Sequence, residues 1–171
     1  MHITVIKNAL SVKECRKIIW RGKILARLWE NWHTVEQYSG TVNVKRMFIG
    51  RYIRDITKKI NFAIPTTVSI ELLRYDTGSY NELHIDNRGP HKTDRTLIDK
   101  DWVQTGVILL NTDFEGGVLS FPKQGQSFTK DNIGDLLIFP AGSNSIDFAH
   151  TVSMIASGIR YSLVMRFVTC L

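Results

Sequence analysis

Cysteine is scarce in this chain: Cys15 and Cys170 stand near opposite ends of 171 residues. Two such distant thiols support neither a disulfide scaffold nor a structural zinc site. No stretch approaches eighteen consecutive apolar residues, which excludes a membrane-spanning helix. The opening Met1-His2-Ile3-Thr4-Val5-Ile6-Lys7 lacks the long apolar region and small-residue cleavage site of a signal peptide. Internal repeats, low-complexity tracts and linkers are missing as well. These absences predict a cytoplasmic, reducing setting and no membrane partner. What remains, 43% apolar and 22% charged residues, is the make-up of an ordinary globule. The length fits a single domain over residues 1–171 with a substantial core.

Charge is unevenly spread. Residues 1–60 hold thirteen Lys/Arg against four Asp/Glu, whereas residues 61–171 hold nine against twelve. A basic N-terminal part can meet an acidic or nucleic-acid partner, although a solvated helix face is the more common reason for such asymmetry. Residues 3–6 read as a short strand. Ser11-Val12-Lys13-Glu14 is a capping-box signature, and Cys15, Ile18, Ile19, Leu25 and Trp29 follow near the helical period, with Gly22 interrupting them. Residues 44–60 predict a second helix. Ile49, Ile53, Ile56 and Ile60 form its apolar stripe, and Arg51, Arg54 and Lys58 line another face. Residues 1–62 are thus expected to be a helical support.

From residue 66 to 168 the pattern turns to strands. Residues 67–75 are β-branched and roughly alternating, and further short strands are expected near 102–110, 117–121, 127–129, 135–139, 145–148 and 160–168. Strands at such spacing predict an all-β barrel or sandwich. Residues 87–100 form a polar stretch containing Gly89-Pro90, long enough to act as a lid.

Within the strands, His84 and Asp86 sit two apart. In extended backbone, residues i and i+2 share a face. An imidazole and a carboxylate are thereby side by side, and one more histidine from another strand would complete a two-histidine, one-carboxylate set that holds Fe(II) with positions left open. Taken alone, H-x-D is also what a surface strand carries by chance. Downstream, His150 ends one apolar run and Arg160 begins another, with Ser157-Gly158 as a turn signal between them. Two adjacent antiparallel strands joined by that turn would bring both residues into one cavity, where a guanidinium suits two-pronged recognition of a carboxylate. His2 and His33 lack partners at ligand spacing, and His91 lies beyond the Gly-Pro break.

His84-x-Asp86, His150 and an arginine ten positions later resemble the Fe(II)/2-oxoglutarate-dependent dioxygenases, and within them the prolyl 4-hydroxylase-like branch. Tyr75-x-x-Gly78-x-Tyr80 looks like that family's lead-in to H-x-D. Phe114-Glu115-Gly116-Gly117-Val118-Leu119-Ser120-Phe121 resembles its F-x-G-G-x-L-x-F hairpin, and residues 134–140 resemble the strand before the distal histidine. The likeness runs from about residue 68 to 168, in order.

The resemblance implies a mainly β fold, a double-stranded β-helix (jelly roll) barrel with N-terminal helices. It implies Fe(II) on His84, Asp86 and His150, with 2-oxoglutarate and O2 as cosubstrates. Arg160 would bind the far carboxylate of 2-oxoglutarate, assisted by Ser162 in an R-x-S pattern or by the phenol of Tyr75. Hydroxylation of a prolyl residue in a peptide or protein is the implied activity, with succinate as coproduct. Arg88, Arg95 and Arg166 are candidate substrate contacts. One residue departs from the branch: Arg166 occupies the place of its usual wall tryptophan. R-x5-R matches the nucleic-acid dealkylating members instead, although Leu73 stands where those carry asparagine. An oxidative demethylase of alkylated nucleic acid, and a non-catalytic β-helix that binds metal or a partner, therefore stay open as alternatives.

Overall fold

Ser11 starts the first helix as its neighbours lead one to expect. Its backbone N–H and its Oγ both donate to Glu14 Oε2 at 2.7 Å, and the Glu14 N–H donates back to Ser11 Oγ at 3.3 Å. This reciprocal pairing satisfies donors that a helix start leaves free. In the computed structural model, which describes residues 2–29, 32–34, 41–58, 60, 67–87 and 102–168, the helix that follows is α1 (Val12–Trp29). Cys15, Ile18 and Leu25 are buried along one side of it. The helix comes close to the sheet at Gly22, where a Cβ would lie 2.3 Å from Leu72 Cδ2. The glycine that interrupts the helical pattern is what lets the helix rest on the sheet.

The second helix expected over residues 44–60 does not form. Strand β3 (Thr41–Phe48) takes its first half, followed by a 3-10 turn (Gly50–Tyr52) and a single helical turn, α2 (Arg54–Thr57). β-branched Thr41, Val42 and Val44 favour the strand, and pairing with the long strand β4 (Thr67–His84) outweighs the helical spacing. The apolar stripe is nevertheless real. Ile49, Ile53, Ile56 and Ile60 are all buried, while Arg51, Arg54 and Lys58 are exposed. Arg21 fastens α2 to α1, donating to Asp55 Oδ1 and Oδ2 at 2.6 and 3.0 Å and to the Tyr52 carbonyl at 2.7 Å.

The remaining strands are β1 (Thr4–Ile6), β2 (His33–Thr34), β5 (Trp102–Leu109), β6 (Phe114–Gly116), β7 (Leu119–Phe121), β8 (Gln126–Phe128), β9 (Leu136–Pro140), β10 (His150–Val152), β11 (Ile155–Gly158) and β12 (Arg160–Val168). Residues 145–148, expected as a strand, hold a 3-10 turn instead (Ile146–Phe148). The described strands form a curled antiparallel sheet in the order β1-β9-β5-β12-β4-β10-β7-β8. β3 also pairs with β4, β2 pairs with β3, and β11 and β6 make a separate ribbon. This is the mainly β jelly-roll architecture expected of residues 66–168.

Alternation along the strands divides the interior into two layers. Leu72 of β4, Ile108 of β5, Leu136 and Ile138 of β9, and Leu163, Met165 and Phe167 of β12 face α1. Their neighbours Tyr75, Val107, Leu137, Phe139 and Val164 face the opposite side, together with Phe114, Phe121 and Phe148. Helix α1 therefore seals one face of the sheet, and the other face is free to enclose a cavity. Among the described residues, no helix is long and apolar enough to cross a membrane.

Candidate metal centre and anion pocket

Strand β4 positions most of the site. Its partner β12 sets Arg160 opposite Tyr75, and its partner β10 sets His150 opposite His84. The strands of His150 and Arg160 are thus not adjacent, as expected from their shared turn, but pair with successive stretches of one edge of β4, the edge opposite β3. The turn residues 157–158 belong to the β11–β6 ribbon. The two side chains reach one cavity all the same, because β4 carries both registers.

The cavity opens to solvent, and the empty space in it together with the open solvent over it comes to about 370 Å³. His84, Asp86, His150, Arg160, Ser162, Tyr75, Arg166 and Asn81 line it, with Leu73, Val107, Leu119, Val152 and Val164 as apolar wall. One ligand atom each from His84, Asp86 and His150 lies within 4.8 Å of the others. Asp86 Oδ1 is 3.7 Å from His84 Nε2, and Asp86 Oδ2 is 3.8 Å from His150 Nε2.

Hydrogen bonds select the tautomer of both rings. His84 Nδ1 lies 2.8 Å from the Glu82 carbonyl, and His150 Nδ1 lies 3.1 Å from the Phe148 carbonyl. A carbonyl can only accept, so each Nδ1 carries a proton, which leaves Nε2 as the nitrogen that can coordinate a metal. Both Nε2 atoms face Asp86. Burial pushes the His150 imidazole down to about 4, outweighing the raising effect of Asp86. Its ring is packed between Phe121 (centroids 5.2 Å) and Phe139 (4.8 Å). It is therefore neutral, the state a metal ligand requires. Burial alone would raise the Asp86 carboxyl, but it is held well below the usual carboxylate range, with the Arg166 guanidinium beside it the largest opposing influence. Two imidazoles and one carboxylate, converging with no further side-chain ligand among the described residues, fit a divalent iron with open positions.

Arg160 is 3% exposed. Its Nη1 donates to Ser162 Oγ at 3.2 Å, and its guanidinium sits over the Tyr75 ring at 5.0 Å. Nε has no hydrogen-bond partner, and among the described residues no carboxylate pairs with the group. Burial accordingly lowers its pKa, with Tyr75 opposing. Tyr75 therefore meets Arg160 through its ring face. The double glycine of the 114–121 hairpin makes room for this arginine: Gly117 (φ +64) would place a Cβ 2.8 Å from Arg160 Cδ and 2.6 Å from Ile155 Cδ1.

Arg166 lines the same cavity. Its Nη2 donates to Asp86 Oδ1 at 3.2 Å, its Nη1 reaches Thr105 Oγ1 at 3.4 Å, and its guanidinium covers the Trp102 ring at 4.7 Å. Arg88 and Arg95, with the rest of residues 88–100 expected as a lid, lie outside the described residues.

Asn81 is the cavity residue that spacing did not point to. Its Nδ2 lies 3.2 Å from His84 Nε2. Three residues apart on a flat strand, the two would face opposite ways. Here β10 pairs His150 with His84 but Val152 with Asn81, so β4 carries one extra residue between them. That bulge turns Asn81 back to the cavity. A larger bulge on the other edge, between Val44↔Tyr75 and Val42↔Tyr80, holds the Tyr75-x-x-Gly78-x-Tyr80 lead-in, with Gly78 at φ +84.

No protein-family model matches this sequence, and no curated protein matches it. Solved structures do. A viral collagen prolyl hydroxylase from Paramecium Bursaria Chlorella virus-1, in its 2OG complex, matches with a TM-score of 0.66 at 17% identity, over 99% of this chain and 97% of that one. A prolyl-4-hydroxylase from Pseudomonas putida matches with a TM-score of 0.66 at 15% identity, over 98% and 92%. A prolyl hydroxylase from Trichoplax adhaerens, in complex with a hypoxia inducible factor oxygen degradation domain peptide fragment, gives 0.66 at 16% identity, over 97% and 83%. The chain thus has the jelly-roll fold of these oxygenases along nearly its whole length.

Proposed function

We propose that this protein is an Fe(II)/2-oxoglutarate-dependent dioxygenase that hydroxylates a C–H bond, with a prolyl residue of a peptide or protein as the substrate class. One observation carries the reading most strongly: a buried, carboxylate-free guanidinium shares a cavity with a convergent His-Asp-His set. An uncompensated buried cation is costly, and the cost is recovered when an anion enters. The dicarboxylate 2-oxoglutarate offers a keto acid to a metal at one end and a carboxylate to Arg160 at the other.

His84, Asp86 and His150 would hold the iron. When bound, iron with 2-oxoglutarate and O2 supplies the oxidant: one oxygen atom enters the substrate C–H bond as hydroxyl, the other enters succinate, and CO2 leaves. The chain's own part is placement. Arg160 and Ser162 anchor the cosubstrate, the Glu82 and Phe148 carbonyls orient the two imidazoles, and Leu73, Val107, Leu119 and Val164 limit water. An extended peptide suits the cavity mouth, since backbone hydrogen bonds give affinity while a pocket selects the side chain. The solved peptide complex of a similar fold supports that choice.

The test is succinate release with Fe(II), O2 and 2-oxoglutarate, stimulated by proline-containing peptides and followed by mass spectrometry for a gain of one oxygen. Stimulation by methylated oligonucleotides alone, with formaldehyde released, would favour the demethylase instead. Iron and 2-oxoglutarate binding without turnover of either substrate class would favour a non-catalytic binding domain.

A further inference from the structure

We infer that the substrate carries an anionic side chain beside the oxidised residue, and that Arg166 receives it: an acidic peptide, with Asp or Glu next to the target. This deepens the proposed function and rests on it. Arg160, Ser162, Val164 and Arg166 alternate along β12, so all four line the cavity. Arg166 reaches Asp86 six residues beyond the anchor for 2-oxoglutarate.

A charge count motivates the assignment. Among the described residues lining the cavity, the formally charged groups are Arg160, Arg166 and Asp86. A divalent iron and the 2-oxoglutarate dianion cancel each other. Two guanidiniums against one carboxylate then leave the loaded cavity with one positive charge. Such a charge, carried on guanidiniums that are largely buried, is unfavourable until a counter-charge enters. Arg160 is committed to the cosubstrate, which leaves Arg166 as the cation to be neutralised.

The local contacts of Arg166 agree. Its partner Asp86 must share its charge with a metal, its bond to Thr105 is long at 3.4 Å, and its Nε is buried without a partner. Trp102 supports the guanidinium plane, the setting in which arginine offers an in-plane fork to a carboxylate. Only 12% of the side chain is exposed, so it is reached from within the cavity. A single carboxylate on a short side chain can enter there. A run of backbone phosphates cannot.

The full-length protein is loaded anaerobically with Mn(II) and 2-oxoglutarate, and both affinities are measured first. Fluorescence anisotropy then compares labelled peptides that differ only in Glu-Pro or Gln-Pro at the centre. The Glu-Pro peptide should bind at least about tenfold more tightly, equivalent to one charge-assisted contact. Arg166→Gln should bring the two peptides within about twofold, and Arg166→Lys should restore part of the preference because the charge returns. If Arg166→Gln also loses Mn(II), the Lys variant and the wild-type peptide pair decide. Equal wild-type affinity for both peptides would overturn the inference, as would a preference that survives in Arg166→Gln. So would an oligonucleotide that binds more tightly than the Glu-Pro peptide through Arg166. Wild type that binds neither Mn(II) nor 2-oxoglutarate would instead remove the proposed function, and this inference with it.

Discussion

Replacing Arg160 with methionine should separate function from stability. Among the described residues of the unliganded protein, this arginine makes one hydrogen bond, to Ser162, and one ring contact, to Tyr75. Losing them costs about 1.5–3 kcal/mol for a charged hydrogen bond and about 0.5–2 kcal/mol for the ring contact. Against this stands relief from burying an uncompensated cation, worth several kcal/mol. Methionine fills much of the same volume with no charge. The unliganded variant should therefore match wild type or exceed it, whereas breaking a structural buried ion pair costs about 3–5 kcal/mol. Binding should change in the opposite direction. Removing the partner of a buried carboxylate costs roughly 2–5 kcal/mol, a loss of about 30-fold to several thousandfold in 2-oxoglutarate affinity. Urea unfolding with Mn(II), with and without 2-oxoglutarate, reads both effects together. At a hundred times the wild-type dissociation constant the ligand should add about 2.7 kcal/mol to wild type and about 1 kcal/mol or less to the variant. A variant destabilised by about 3–5 kcal/mol, yet stabilised by 2-oxoglutarate as wild type is, would refute the reasoning.

Asp86→Ala should abolish binding of a single Mn(II) equivalent, followed by calorimetry, while His2→Ala and His33→Ala should retain it. Gly117→Ala should weaken 2-oxoglutarate more than metal, because its Cβ would press on Arg160 Cδ at 2.8 Å; equal losses of both would mean that the hairpin is merely misfolded. Asp135 holds the start of the chain to the sheet, accepting from Lys7 Nζ at 2.7 Å and the Asn8 N–H at 2.9 Å. Although burial raises its carboxyl, Lys7, Asn8 and Asn132 leave it below the usual range. Its stabilisation is present above the unfolded carboxylate pKa of about 3.9 and is lost as pH falls through the lower folded value. Asp135→Asn should cost about 1–3 kcal/mol at pH 7, and the gap to wild type should close in acid; a gap independent of pH would refute the charge argument.

Much of this site was legible because its residues lie on strands with ordinary alternation. His84 and Asp86 needed only the two-residue rule, and Arg160, Ser162 and Arg166 share a face for the same reason. What alternation could not supply is register. Asn81 was hidden by a bulge, and the separation of β10 from β12 was hidden because only hydrogen bonding to β4 decides it. The helix expected over residues 44–60 failed differently. Its apolar spacing was correct and its buried residues were correct, but a 3-10 turn and one helical turn bury the same isoleucines, and a neighbouring strand captured residues 41–48. The function of Gly22 was likewise invisible, since the reason for it is a leucine fifty residues away.

The long strand β4 also bears on how the protein reaches its folded state. Tyr75 and His84 lie on one continuous strand, yet the partners that complete their surroundings, Arg160 and His150, come from near the end of the chain. His84 and Asp86 are neighbours in sequence, but His150 joins them only when a long loop closes, and pairings of this kind make for slow folding. A nascent chain would complete the proposed iron site only after β10 had been synthesised and paired with β4. On the proposed function, iron would therefore arrive as a late passenger on a nearly finished barrel, not as a nucleus around which the chain collapses. Refolding rates should accordingly be indifferent to added metal, while unfolding slows.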